Sequence, residues 1–370
     1  MIRRLTKQDA EDLRQGTLIL GCGGGGDPQD GANYIEEIYE TGRVFSLAEL
    51  GDLPDDAIVA TVGLVGGGIT KDEIEQVKGF EKSGDAVLRA IDELSAYLGR
   101  EIEAYMPSEP GAGNSFVPLY AAAMKGVLTL DADTAGRAKP EIVNSTTSLF
   151  NLALAPLSIV SDFGDTMIVT HAINEYRVEQ ICRHMARASG GMCAVARCPI
   201  RVGDMKGKFV EGTLSEALAA GRAIRESCTP VETLIDTLQA TRLFDGEIVS
   251  CSRKEERGFM WGEIELVGLG KYAGKRYRLW YKNENMIGWV DGELDITTPD
   301  LIALVDSHTG EGVYNWSSES LACKRQCTVI GRKANPLWLS ARGLELFGPR
   351  HFGFDFDYVP FDERRSCKEG

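Results

Sequence analysis

Apolar positions recur with helical spacing in some stretches of the chain and as short continuous or alternating runs in others, and the two patterns divide it into elements. Residues 7–13 read as a short helix feeding a buried strand at 17–20. There the apolar run TLIL gives way to five glycines, a cysteine, an aspartate and a proline (GCGGGGDP). Asp27 and Pro28 predict a helix start, and Ala32, Ile35, Ile38 and Tyr39 give that helix one apolar face. A short strand at 44–46 and a buried strand at 57–65, AIVATVGLV, follow, the second ending in Gly66, Gly67 and Gly68. Val87, Leu88, Ile91, Leu94 and Leu98 mark a helix over 83–98. A strand at 102–106, a glycine turn through Gly111, Gly113 and Asn114, a helix over 116–124 and a strand at 127–130 complete this half. Strand, glycine or acid turn, then helix, repeated along the chain, predicts a parallel sheet with helices on both faces.

Beyond residue 145 the pattern is mixed: a helix around 148–154, a strand pair turning at 162–165, and helices over 174–188, 213–225 and 231–240. From Leu243 apolar and polar residues alternate between glycine-containing turns, as antiparallel strands do. A short apolar element at 299–305 and a strand at 327–330 follow, and the tail GPRHFGFDFDYVPF, aromatic at alternate positions, is expected to return across the body. The fold class expected is α/β: an N-terminal three-layer α/β domain with a mainly parallel sheet over 1–170, and a C-terminal domain over 171–370. The latter is helical at first and β-rich over about 243–345.

Composition narrows the function classes. The chain has 370 residues, 43% hydrophobic and 26% charged, with a formal charge of −15. It shows no basic stripe with interleaved aromatics, so nucleic acid is not an expected partner. No apolar run reaches the length of a membrane span, and the opening MIRRLTKQDAEDL has no signal-type apolar core, which leads us to expect a cytoplasmic protein with no membrane partner. Nine cysteines without framework spacing fit reduced thiols. A homo-oligomer is the default expectation for an enzyme of this size.

The candidate chemistry gathers at the first glycine turn. Gly23, Gly24, Gly25 and Gly26 offer bare main-chain N–H groups beside a helix N-terminus, an arrangement suited to anionic or carbonyl oxygens. Gly21, Gly23 and Gly26 match the dinucleotide spacing, but the strand expected at 44–46 ends without the ribose-binding acid, and no Gly-Lys-Ser/Thr follows for a phosphate loop. His171, His184, His308 and His351 stand far apart and the cysteine pairs lack zinc spacing, so no metal site and no cofactor is expected, with a carboxylate-held divalent ion as the alternative. Asp27, Asp131, Asp133 and Glu141 fall after predicted strand ends, with Arg137 among them. Asp133, Asp27 and Glu141 are candidate bases, and Arg137 is the candidate anchor for a substrate carboxylate. The competing assignment makes Asp131 and Asp133 turn caps and Arg137 their ion-pair partner. Asn114, with Ser115 beside it, is a candidate ring hydrogen-bond partner. Cys22 is either a nucleophile ionised near a helix start or a small buried side chain.

The blocks LGCGGGGDP (20–28), LPDDAIVATVGLVG (53–66), GNSFVPL (113–119), DADTAGRAKPE (131–141), NENMIGWVDG (283–292), PDLIALVD (299–306) and GPRHFGFDFDYVP (348–360), taken together, resemble the S-methyl thiohydantoin desulfurase family, formerly domain of unknown function 917. The resemblance runs nearly end to end, departing at 66–68 and at the Cys323 and Cys327 pair. It implies a three-layer α/β domain followed by a β-rich domain. It also implies removal of sulfur from a thiohydantoin or its S-methyl form in ergothioneine breakdown, by water or a thiolate adding at the ring carbon that bears sulfur. A hydantoin or oxoproline ring hydrolase, alone or as a subunit, is the rival enzyme, and a heterocycle-binding protein without catalysis is the rival of another class.

Overall fold

The computed structural model describes residues 2–369, and its first unit is built on an eight-stranded mixed sheet. The strand order is Arg3–Arg4, Ser46–Ala48, Leu128–Leu130, Ala104–Met106, Ile58–Gly66, Met192–Arg201, Leu157–Ser161 and Thr166–Val169. The strands from Ser46–Ala48 to Ile58–Gly66 pair in parallel. Met192–Arg201 joins antiparallel to Ile58–Gly66, and the last two strands continue antiparallel from it. Both faces are covered. Ile58, Ala60 and Val62 pack under helices Ala86–Leu98 and Phe116–Lys125, while Val59 turns to a second cluster with Met106, Leu130 and Met205. A strand buried on both faces needs the continuous apolar run that the sequence shows.

Residues 17–20 are not a strand. They are the last turn of one helix, Lys7–Leu20, opened by a capping box between Thr6 and Asp9. Four consecutive buried residues, Thr17 to Leu20, suit a helix end enclosed on all sides as well as they suit a strand. Gly16 lets this helix meet helix Thr213–Glu226 at backbone distance, since a Cβ there would lie 1.7 Å from the Ala217 carbonyl oxygen. Gly221 returns the contact at 1.7 Å from the Asp12 carbonyl oxygen. The glycine turn therefore joins two helices.

The second sheet is antiparallel and seven-stranded, in the order Glu293–Thr297, Glu284–Val290, Arg276–Lys282, Phe259–Gly268, Thr241–Glu256, Gln326–Arg332 and Leu301–Asp306. It curls on itself, and the Asn285 Nδ2 donates to the Ile302 carbonyl across the curl. Its core holds Phe244, Ile264, Tyr277, Leu279 and Val329. Helix Lys7–Leu20 lies where the two units meet, in one cluster with Leu301, Ala303 and Ile330 of the second sheet. The tail returns as expected: Phe354 packs edge-on against Trp280 and tilted against Trp289, and Phe352 packs edge-on against Phe347. No described helix is long and apolar enough to cross a membrane.

Candidate functional site

The turn after Leu20 is packed between two segments of its own chain. Cys22 adopts φ +50° and Gly23, Gly25 and Gly26 lie at φ +91°, +80° and +83°, where glycine carries no steric cost. The Gly25 carbonyl accepts from the N–H groups of Gly113 (3.2 Å) and Asn114 (2.9 Å), which clamps the 110–114 segment against the turn. On the other side Asn285 N–H donates to the Cys22 carbonyl (2.7 Å) and Asn315 N–H to the Gly23 carbonyl (2.8 Å). Two glycines are thus covered by side chains: a Cβ on Gly23 would strike Asn315, and one on Gly24 would strike Glu284. Gly25 and Gly26 line a cavity.

That cavity, about 390 Å³, is walled by the glycine turn, strand Ile58–Gly66, residues 108–114 and 139–142, strand Met192–Arg201, and the hairpin tip carrying Asn283 and Glu284. Both units contribute to it. Its size suits a small heterocycle. The 276–290 hairpin turns through Asn283 alone (φ +58°), because Lys282 pairs directly with Glu284, and Asn283 is fixed by a bond from Met260 N–H to its Oδ1 (2.8 Å). The tight turn puts Glu284 in the cavity wall, 2% exposed. Burial, reinforced by the charge of Glu109 and opposed by those of Arg137 and Lys139, holds the Glu284 carboxyl well above its usual range. Its Oε2 has no partner.

Glu109 faces the same cavity, held by Asn114 Nδ2 (2.8 Å) and Lys139 N–H (3.0 Å), with Lys139 Nζ at 3.7 Å. Ser108 Oγ accepts from Lys139 Nζ (3.1 Å) and Arg197 Nη2 (2.7 Å), which leaves the buried Arg197 Nη1 without a protein partner. A buried carboxyl pushed well above its usual range, a second carboxyl fixed by two donors, and two buried cations surround one small volume. Such a set can move protons and stabilise charge on a ring.

The residues picked out from the sequence divide between wall and surroundings. Asn114, Glu141, Gly25, Gly26 and Asp27 line the cavity. Asp27 caps helix Pro28–Glu40, with Oδ1 accepting from Gln29 N–H at 2.9 Å, and is exposed at the rim. Ser115 lies behind the wall, its Oγ accepting from Gly111 N–H (2.9 Å). Glu141 is tied to Lys282 and to His351 Nε2 (2.8 Å). Burial would raise its pKa, but the His351 hydrogen bond and the charge and hydrogen bond of Lys282 outweigh it and bring the carboxyl down to about 2. It is therefore a weak base, and it serves as an ion-pair link between the two units.

Four residues lie outside the cavity lining, which corrects the roles of base for Asp133, substrate anchor for Arg137 and nucleophile for Cys22. Asp133 is wholly buried away from the cavity, with Oδ1 accepting from Ala135 (2.6 Å) and Gly136 (2.7 Å) N–H, and burial raises it to about 6. Asp131 is likewise a cap, its Oδ1 receiving Leu214 N–H (2.8 Å) at the start of helix Thr213–Glu226. Arg137 donates to the main-chain carbonyls of Asp300, Asn285 (2.7 Å) and Ala138 (3.1 Å), which bolts the units together outside the cavity lining. Cys22 is 0% exposed, and burial pushes its thiol up, the reverse of an activated nucleophile. Among the described residues no group of three or more His, Cys, Asp or Glu is arranged to hold a metal ion.

Glu109, Lys139, Arg197 and Glu284 were not singled out from the sequence. Lys139 and Glu284 sit inside the blocks DADTAGRAKPE and NENMIGWVDG, and Glu109 immediately before the Gly111 turn, so position beside a motif was the available signal. Arg197 lies on strand Met192–Arg201, which the sequence pattern did not reveal.

Comparison with known proteins now bears on this arrangement. The model of the S-Me-THD-like N-terminal domain matches residues 8–171, and that of the C-terminal domain matches 173–361. The chain belongs to the S-Me-THD-like family. This is the S-methyl thiohydantoin desulfurase family of the sequence resemblance, and the assignment supports a thiohydantoin-related function. In this S-Me-THD-like protein the first sheet crosses the boundary between the two family domains, because strand Met192–Arg201 inserts beside Ile58–Gly66. A crystal structure of a protein from Chromobacterium violaceum is similar over 97% of this chain and 100% of its own, with a TM-score of 0.80 and 22% identity, which shows a shared fold. No curated protein matches the chain.

Proposed function

We propose that this S-Me-THD-like protein removes sulfur from an S-methyl thiohydantoin, or from the thiohydantoin itself, by adding water at the ring carbon that bears sulfur. The observation that carries the reading is the pairing of Glu284, a buried carboxyl pushed well above its usual range, with Glu109, a carboxyl fixed by Asn114 and Lys139, in one cavity. Two carboxyls with environments this different suit the acid and base of one reaction.

In this scheme Glu109 takes a proton from water as the oxygen bonds to the ring carbon, then passes that proton to the adjacent ring nitrogen. Glu284 gives its proton to the sulfur as the carbon–sulfur bond breaks, and recovers one from the hydroxyl on the tetrahedral carbon. For the S-methyl substrate the products are a hydantoin carbonyl and methanethiol, so water supplies one oxygen to the ring and its hydrogens go to nitrogen and sulfur; for the thiohydantoin itself water adds across the C=S bond, both hydrogens go to sulfur, and hydrogen sulfide leaves. Arg197 Nη1, Lys139 and the N-terminus of helix Pro28–Glu40 stabilise negative charge on ring oxygen and nitrogen.

The test is incubation of the purified protein with an S-methyl thiohydantoin, the thiohydantoin and the hydantoin. Release of methanethiol or sulfide supports the proposal. Ring opening of the hydantoin without sulfur loss would make the protein a ring hydrolase, and saturable binding without turnover would make it a heterocycle-binding protein. Either of these outcomes overturns the desulfurase reading.

A further inference from the structure

The first glycine turn has a role that its resemblance to a ligand cradle conceals. A Cβ built on Gly24 would lie 2.0 Å from Glu284 Oε1, 2.7 Å from its Cδ and 3.0 Å from its Cγ, so the three nearest atoms all belong to that one side chain. Gly24 is not among the glycines at positive φ, unlike Gly23, Gly25 and Gly26. Its lack of a side chain is therefore required by what sits on it and not by backbone conformation. The next contact repeats the arrangement: a Cβ on Gly23 would lie 2.3 Å from Asn315 Nδ2.

Asn315 secures Glu284 from both sides. Its Nδ2 donates to the Asn283 carbonyl (2.9 Å) and to Asn285 Oδ1 (3.0 Å), the residues flanking Glu284, while its own N–H holds the Gly23 carbonyl (2.8 Å). Asn285 N–H completes the frame by bonding the Cys22 carbonyl (2.7 Å). The hairpin tip and the glycine turn are thus one hydrogen-bonded unit with the Glu284 carboxyl enclosed in it. We infer that Gly24 and Asn315 are positioning residues, which form a dry seat that fixes the Glu284 carboxyl against the cavity. The inference rests on the reading of Glu284 as the proton donor for its catalytic meaning, but the seat itself is testable without any substrate.

The charged and titratable groups that act on Glu284 are Glu109, Arg137 and Lys139. In the seat, burial dominates and pushes the carboxyl up. A methyl group at Gly24 would push the carboxyl out of its enclosure toward the cavity, and the smaller desolvation there favours ionisation.

The experiment is infrared titration of the protonated carboxyl band in the substrate-free protein. Glu284→Gln identifies the band by removing it. Gly24→Ala should leave a folded protein, because the displaced atoms are the free end of a side chain, and should move the midpoint of that band to lower pH. Asn315→Ala, which opens the same seat from the other side, should move it in the same direction and serves if Gly24→Ala does not fold. If the wild-type protein turns over S-methyl thiohydantoin, Gly24→Ala should lower kcat on the order of a hundredfold with KM little changed. Adding Glu284→Asp to Gly24→Ala, which withdraws the carboxyl by one methylene, should cost less than the two losses combined. A midpoint unchanged in both Gly24→Ala and Asn315→Ala would overturn the inference. A shifted midpoint in a protein without desulfurase activity would leave the seat standing and overturn the proposed reaction instead.

Discussion

Replacing Glu141 by glutamine tests whether this cavity-wall carboxylate is a structural link or a base. Its side chain is 19% exposed and that of Lys282 8%, and Lys282 also lies over the rings of Phe259 (4.2 Å) and Trp261 (4.8 Å). A carboxyl that falls from 4.5 to about 2 on folding contributes ~3 kcal/mol at neutral pH. Removing one member of a buried pair and stranding the other costs a similar ~3–5 kcal/mol. Because the folded pKa is the lower one, this stability is complete above the unfolded value and is lost as pH falls through the folded value. At pH 3 about 2 kcal/mol of it should already be gone. Urea unfolding of wild type and Glu141→Gln at pH 7 and pH 3 should therefore show a gap of ~3 kcal/mol narrowing to ~1 kcal/mol. Desulfurase activity of the folded variant at pH 7 should stay within a few fold of wild type. An equal gap at both pH values, or a stable variant that has lost its activity, would refute the structural assignment.

Glu284→Gln should behave in the opposite way. Its raised pKa means that folding gains from this group below pH 4.5 and loses progressively as pH rises toward the folded value, so the variant should be at least as stable as wild type at pH 8 by urea midpoint. Its kcat should nevertheless drop ~10²-fold to 10⁴-fold, the usual loss for a general acid. Cys22→Ala should keep its kcat, since the thiol is buried and its pKa raised; loss of turnover in a folded Cys22→Ala protein would restore the covalent route. Arg137→Met should lower the melting temperature and leave KM unchanged in the fraction that folds, because its bonds go to main-chain carbonyls. Arg197→Met should lower kcat/KM by removing the unpartnered Nη1, and a kcat/KM equal to wild type would exclude this group from the substrate site.

The sequence exposed the layers of the fold more readily than the site. The two-face apolar run at 57–65, the helix face from Val87 to Leu98 and the alternation after Leu243 each carry the period of the element they form, and each element appears close to where the pattern places it. The run at 17–20 was ambiguous in principle, because a helix end buried all round and a short buried strand have the same local composition. Strand Met192–Arg201 escaped notice because its apolar run is broken by Arg197, which is buried with its Nη2 donating to the sequence-distant Ser108. The site was obscured for a similar reason. Asp133 resembles a catalytic acid in sequence but takes the competing role of a turn cap, with its partners two and three residues on, whereas the carbonyls that hold Arg137, those of Asn285 and Asp300, come close only on folding. Glu284 looks like an ordinary hairpin-tip acid, and only the contact with Gly24 shows that it is enclosed.

The location of a bound ligand bears most directly on the proposed site. A crystal of Glu284→Gln soaked with an S-methyl thiohydantoin should place the ring between Gly25, Gly26 and Arg197, with its sulfur toward residue 284 and the sulfur-bearing carbon facing Glu109. Density for the ring in another crevice between the units, beside Arg137 and Thr213, would contradict the assignment of both carboxyls.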